Sequence, residues 1–446
     1  LKALKTFPKG GIHPPENKLT AACRIEKLPQ PASVIIPVAQ HSGSPAIPIV
    51  NRGDKVLTGQ LIAKAAGYFS ANIHSSFSGT VLKIDNAIDT SGYKQLCIFI
   101  NVTGDEWISE VDRSNDLIEE IKDTPEEIIK KIQDAGIVGL GGAAFPTHIK
   151  LKVPENKKCN LLIINGAECE PYLTSDHRLM LEKGNEIIVG TRIMMKALGV
   201  NRAIIAIENN KADAISLLDE LVKGDGDIFI QPLKVKYPQG GEKQLIKAIT
   251  GREVPSGRLP IDVGVVVQNA GTAFAVYEAV QKNKPLIERV VTVSGSSLKR
   301  AGNYIVRVGT AVSQLIDTAG GLPEDAIKVI SGGPMMGKAL SNLQVPVVKG
   351  TSGIVVFANG ESTRTPFGPC IRCSKCIRAC PMNLEPYLLM SLAEKNLFER
   401  MQDEMVTDCM ECGSCSYICP AYRPLLDYIR LGKTTVMKMI REKNMK

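Results

Sequence analysis

The chain has no stretch of about eighteen apolar residues free of charge, which excludes a membrane-spanning helix of ordinary length. Aromatic residues are scarce, at 5% with a single Trp, and no basic stripe interleaved with aromatics offers a grip for nucleic acid. Lys and Arg total 54 against 46 Asp and Glu; the excess is spread thinly, so nucleic acid is not an expected partner. The opening LKALKTFPKGGIHPPENK lacks the apolar core of a secretory signal, which points to a cytoplasmic protein. The basic excess thickens only at the end, where Lys433, Lys438, Arg441, Lys443 and Lys446 face Glu442 alone. That tail suits a solvated helix end, or a contact with acidic lipid or an acidic partner.

Cysteine is the residue present in an unusual pattern. Of twelve, Cys23, Cys97, Cys159 and Cys169 are scattered, and the other eight crowd the last quarter at short fixed intervals. Without a signal peptide, clustered thiols argue for a metal site in a reducing compartment and against a disulfide framework. Ahead of them the texture changes several times, as expected of a multidomain chain of this length. Residues 1–30 read as a Pro- and Gly-rich arm. Residues 31–105 read as a small all-β unit whose turns at Gly53-Asp54, Gly59-Gln60 and Gly79 resemble the barrel-sandwich of biotinyl and lipoyl carriers. The carrier lysine is missing from the stretch AAGYFSAN, which leaves the scaffold without its swinging arm. Residues 106–285 alternate apolar strands with helical segments, the pattern of an α/β layer with a largely parallel sheet. Residues 286–354 fit a β-grasp module, and residues 355–446 should be helical.

Cys370, Cys373, Cys376 and Cys380, followed by Pro381, spell C-x2-C-x2-C-x3-C-P, and Cys409, Cys412, Cys415 and Cys419, followed by Pro420, repeat it. Three closely spaced thiolates wrap one face of a cubane, and the fourth reaches the neighbouring cluster. The expected ligand sets for two 4Fe-4S clusters are therefore Cys370, Cys373, Cys376 and Cys419, and Cys409, Cys412, Cys415 and Cys380. A zinc ribbon, which needs only two C-x2-C pairs, leaves two thiols per motif unexplained.

Paired clusters move single electrons, so a hydride acceptor that releases electrons one at a time is expected nearby, and a flavin fits. GIVGLGGAAFPTHIK (136–150) places Gly139, Gly141 and Gly142 where backbone N–H groups can approach a phosphate, with Lys150 as a cation. A flexible loop opening a helix is the plainer alternative. INGAECEPYLTSDHRLM (164–180) follows an apolar strand, which sets Asn165, Glu168 and Glu170 at its C-terminal mouth, where open α/β sheets bind ligands. In YPQGGEKQL, Glu242 opens a helix after Gly240 and Gly241, either as a site residue or as an ordinary N-terminal charge.

With these segments in this order, the chain resembles the flavoprotein subunit of complex I and of NAD-linked hydrogenases. It is more closely similar to the RnfC family, the C subunits of the Rnf complex, a membrane-bound ferredoxin:NAD+ oxidoreductase. GGIHPPENK, GLGGAAFPTHIK, NGAECEPYLTSDHRLM, YPQGGEKQL and the doubled cysteine motif carry the likeness. The resemblance implies a Rossmann-like FMN domain, an SLBB-type β-grasp module and a helical two-cluster ferredoxin domain. It implies FMN held by Gly139, Gly141, Gly142 and Lys150, with Asn165, Glu168 and the run Asn269 to Thr272 completing the pocket. Glu168, Glu170, Tyr237, Gly241 and Glu242 would lie near the isoalloxazine and the stacked nicotinamide of NADH or NAD+. The complex I flavoprotein has Gly-Arg-Gly-Gly where this chain has Gly139-Leu140-Gly141-Gly142, and an Asp-Glu pair where it has Ala167-Glu168. No side chain need act as an acid or base, because the flavin carries the hydride. Implied partners are a ferredoxin-like subunit and integral membrane subunits of an ion-translocating complex, with this chain peripheral on the cytoplasmic face. The alternatives are a flavin-free two-cluster adaptor that only conducts electrons, and a vitamin- or metal-responsive module suggested by the β-grasp unit.

Overall fold

Four strands, Leu161–Gly166, Ala203–Glu208, Ile228–Leu233 and Val265–Asn269, form the parallel sheet on which the site is built. The computed structural model describes residues 3–362 and 365–444, so Met445 and Lys446 of the basic tail lie outside the described residues. Each strand is a nearly unbroken apolar run because helices cover both faces. Leu162, Ile164, Ile205 and Ile207 face one core with helices Pro125–Asp134, Gly184–Leu198 and Ala270–Lys282. The alternate residues Ile163, Ile204 and Ala206 face a second core with Leu245, Ile246 and Ile249 of helix Glu242–Thr250. The spatial order is 228–233, 203–208, 161–166, 265–269. The order in which strands are added thus reverses between the last two, and the loops leaving them open a crevice at the switch point.

Residues 33–104 form a four-stranded and a three-stranded sheet, closed over a core that includes Ile36, Ile62, Ile98 and Ile100. A six-stranded mixed sheet with helix Val312–Thr318 packed against it makes the β-grasp unit. Its strand Gly353–Ala358 runs on through residues that the sequence pattern gives to the helical unit. The C-terminal unit is helical, its core formed by Leu389, Met390, Met401, Leu425 and Ile429 with several cysteines packed against them.

The N-terminal arm ties these units together. Lys5 bridges the edge strand 228–233, Gly11 N–H donates to the Ala379 carbonyl at 2.9 Å, and Ile25–Lys27 adds a parallel strand beside residues 303–305 of the β-grasp sheet.

Candidate functional site

Asn269 organises the crevice. Its Oδ1 accepts from Gly271 N–H (2.9 Å) and Thr272 N–H (3.3 Å), capping helix Ala270–Lys282. Its Nδ2 donates to Asp176 at 2.6 Å. The glycine loop closes over it: Leu140 N–H donates to Thr272 Oγ1 at 2.9 Å, and Gly139 N–H to the Phe145 carbonyl at 2.8 Å. A Cβ on Gly141 would sit 3.4 Å from the Asn269 Cβ. Gly142 has φ +108° with nothing within 4 Å of an added Cβ, so the backbone angle, and not crowding, calls for glycine there. Exposed glycine backbone over a helix N-terminus is a cradle suited to a phosphate.

Lys150, on the short helix Thr147–Leu151, donates to Glu242 Oε1 at 2.6 Å and to the Val267 carbonyl at 3.2 Å. Two residues expected at different parts of a flavin therefore meet in one ion pair. At 32% and 38% exposure, the pair contributes at most about 1 kcal/mol, so a ligand anion can compete for the lysine. Asn165 ties the first strand to the loop before helix Glu242–Thr250, its Nδ2 donating to the Gly240 carbonyl at 2.8 Å.

Glu168 is committed to a helix start beside the crevice. With φ 45°, it accepts from Asp176 N–H (2.8 Å), His177 N–H (3.1 Å) and Ser175 Oγ (3.2 Å) at the start of helix Ser175–Glu182. Glu170 is half-buried and accepts from Met335 N–H (3.0 Å) and Met336 N–H (2.9 Å). Burial pushes its carboxyl up to about 7. Between about pH 4.5 and 7 the folded chain then keeps a proton that the unfolded chain has lost, so this group lowers stability as pH rises through that window. Glu170→Gln should flatten the slope, worth about 3 kcal/mol across it, in urea midpoints measured against pH. Tyr237 donates to the Cys412 carbonyl at 2.8 Å, and Gln244 Nε2 to the Pro381 carbonyl at 3.3 Å. A Cβ on Gly241 would meet Met410. Glu170, Tyr237 and Gly241 thus sit where the parallel-sheet unit meets the cysteine unit. Cys169 is packed here: Gly240 N–H donates to its Sγ at 3.3 Å, and burial pushes the thiol up to about 12.

Two lysines missed by sequence reasoning hold these loops. Lys18 of the arm is half-buried and donates to the carbonyls of Glu168 (2.8 Å), Glu170 (2.9 Å) and Leu173 (2.6 Å). Lys211 is buried, donating to the Ala167 carbonyl at 2.7 Å beside Glu208. The signal for Lys18 was its place in HPPENK, within an arm otherwise without periodicity.

The eight clustered thiols divide between two cavities. Cys370, Cys373, Cys376 and Cys419 line one, together with Ile371, Arg372 and Tyr387. Cys380, Cys409, Cys412 and Cys415 line the other, among Met382, Leu384, Leu389 and Leu426. Both motifs fold alike: the residues flanking the second cysteine, Arg372 and Ser374 in one and Glu411 and Gly413 in the other, all have positive φ. Leu384 N–H and Glu411 N–H donate to Cys380 and Cys409 Sγ, each at 3.4 Å. Burial pushes Cys409 up to about 11 and raises Cys380 and Cys412, so iron binding must displace their protons. Among the described residues no three His, Cys, Asp or Glu side chains converge on a single-ion site. Four soft donors around an apolar cavity, with N–H groups aimed at sulfur, fit an iron–sulfur cluster.

A switch-point crevice under a glycine cradle, joined to two four-thiol cavities, defines a flavin and iron–sulfur electron-transfer protein. Residues 132–278 match the Nuo51 FMN-binding domain, 5–105 the RnfC barrel sandwich hybrid domain, 290–339 the SLBB domain and 366–420 a 4Fe-4S dicluster domain. The C subunit of the proton-translocating ferredoxin:NAD(+) oxidoreductase of Clostridium ljungdahlii is 46% identical over 97% of this chain and 94% of its own. The Na(+)-translocating counterpart of Acetobacterium woodii is 42% identical over 98% of each. This chain belongs to the RnfC family, the C subunits of the Rnf complex, and so is one of several proteins in a larger assembly. A NAD+-reducing [NiFe]-hydrogenase in the air-oxidized state shares the fold, with a TM-score of 0.50 and 20% identity over 68% of this chain and 63% of that one. No helix among the described residues is long and apolar enough to cross a membrane.

Proposed function

We propose that this chain is the NADH- and NAD+-reactive subunit of a membrane-bound, ion-translocating ferredoxin:NAD+ oxidoreductase, peripheral on the cytoplasmic face. A ferredoxin-like subunit and integral membrane subunits are its partners. When bound, FMN supplies the conversion between hydride and single electrons, and the two 4Fe-4S clusters supply conduction. Gly139, Gly141 and Gly142 present backbone to the flavin phosphate, and Lys150 exchanges Glu242 for it. Asn269 and Thr272 fix the floor of the pocket, and Asn165 fixes its wall. Glu168 acts through its helix cap rather than by touching the ring. Glu170, Tyr237 and Gly241 position the junction to the clusters.

The observation that carries this reading is the contact of Tyr237 and Gln244 with the loops bearing Cys412 and Cys380. It sets the Cys380, Cys409, Cys412 and Cys415 cavity against the flavin-type loops, while Cys370 of the other cavity is exposed. Electrons would thus pass from crevice to inner cluster to outer cluster, or the reverse. An anaerobic visible spectrum of the reconstituted chain before and after NADH, with flavin and iron quantified, tests it. Flavin bleaching with about eight irons is expected, and Lys150→Ala should lose flavin while keeping iron. Eight irons with no flavin and no NADH response would leave the flavin-free adaptor.

A further inference from the structure

The turn that has lost its carrier lysine is not idle surface. Tyr68 and Phe69 stand at its tip, 56% and 51% exposed, in a chain with few aromatics. Their rings lie 5.1 Å apart, edge to face. Phe69 also meets Phe145 at 6.1 Å, and Phe145 directly follows the glycine loop of the crevice. Three contiguous rings therefore run from the barrel-sandwich tip to the rim of the candidate flavin site.

The geometry is held rigidly. Ser42 N–H donates to the Ala144 carbonyl at 3.1 Å, and its Oγ to the Ala143 carbonyl at 2.8 Å, fastening the barrel-sandwich to the glycine loop. Ser44 N–H donates to the Phe69 carbonyl at 2.8 Å. Ser70 Oγ donates to the Ser44 carbonyl and accepts from Ala66 N–H, each at 2.9 Å. Gly43 has φ +108°, and a Cβ there would collide with the Phe69 carbonyl. These bonds set the backbone of the turn, and on it both rings stand more than half exposed.

We propose that Tyr68 and Phe69 form the adenine-binding wall of the dinucleotide site, a surface supplied by the barrel-sandwich domain to a crevice built by the α/β domain. This rests on NADH being the hydride partner. A dinucleotide whose nicotinamide enters the crevice leaves its adenosine outside, beyond the exposed residues 141–143 of the glycine loop. Flat purine surface is what exposed, preset aromatic rings recognise, at low entropic cost. The scaffold's turn thus holds a ligand where a carrier domain would bear its prosthetic group.

The test uses the full reconstituted chain and ADP-ribose, which has the adenosine but cannot reduce flavin. Tyr68→Ala combined with Phe69→Ala should weaken ADP-ribose binding about tenfold or more and lower the preference for NADH over reduced nicotinamide mononucleotide by the same factor. Flavin and iron contents should hold. Phe69→Trp should retain affinity, and Phe69→Leu, which keeps bulk without a flat face, should lose it. Equal ADP-ribose affinity in variant and wild type would overturn the proposal. So would a loss for both reductants that leaves their ratio unchanged, since that reports a displaced glycine loop. Failure of the NADH reading is separate and would appear as wild-type flavin that NADH does not reduce.

Discussion

Cys380→Ser is expected to remove about four of eight irons, and the iron lost should belong with the second cysteine motif although Cys380 closes the first. Its thiol lines the cavity of Cys409, Cys412 and Cys415, whereas Cys419 lines that of Cys370, Cys373 and Cys376. Cys380→Ser should therefore match Cys412→Ser in iron content and in the electron paramagnetic resonance signal that disappears. Cys419→Ser should match Cys373→Ser. The opposite grouping would establish that each motif ligates its own cluster. The functional effects should also differ, because the Cys380 cavity lies against Tyr237 and the flavin-type loops. Losing it should interrupt transfer from the crevice to all that lies beyond, while losing the outer cluster should leave the inner one reducible by NADH.

Lys18→Met should destabilise the flavin-type unit by about 3 kcal/mol and loosen its flavin, although Lys18 belongs to the arm. One half-buried ammonium satisfies three carbonyls of the 168–173 loop, and hydrogen bonds to a charged donor are worth about 1.5–3 kcal/mol each, without simple additivity. Methionine keeps the stem and removes the donors, so three loop carbonyls lose their partner. A thermal melt followed by released flavin fluorescence would record this as an earlier release. An unchanged release temperature would mean that the loop holds its shape without the arm.

Much of this was legible in the sequence because it rests on spacing. The cysteine repeat, the apolar strands and the glycine loop are patterns that local chemistry imposes. What the sequence hid depends on distant partners. Lysine ordinarily marks solvent, and nothing in its neighbours shows that Lys18 and Lys211 are turned inward against carbonyls. Lys150 and Glu242 meet across 92 positions, and each alone suggested a different part of a ligand. Glu168 stands at a strand mouth, but nothing local shows that the helix start about eight residues on offers it three donors. Positive φ at Arg372, Ser374 and Glu411 is invisible without glycine to announce it.

The arm described with the fold also bears on how the chain is made. It precedes all its partners in the chain, and they are synthesised later: Lys5 waits for the strand ending at Leu233, Gly11 for Ala379 and Ile25–Lys27 for residues 303–305. Gly10 lies so close to the Cys380 carbonyl that a Cβ there would not fit. The segment around Gly10 and Gly11 therefore settles only after a cluster ligand of the C-terminal unit has emerged, and a chain halted before Ala379 would lack that one fastening of the arm.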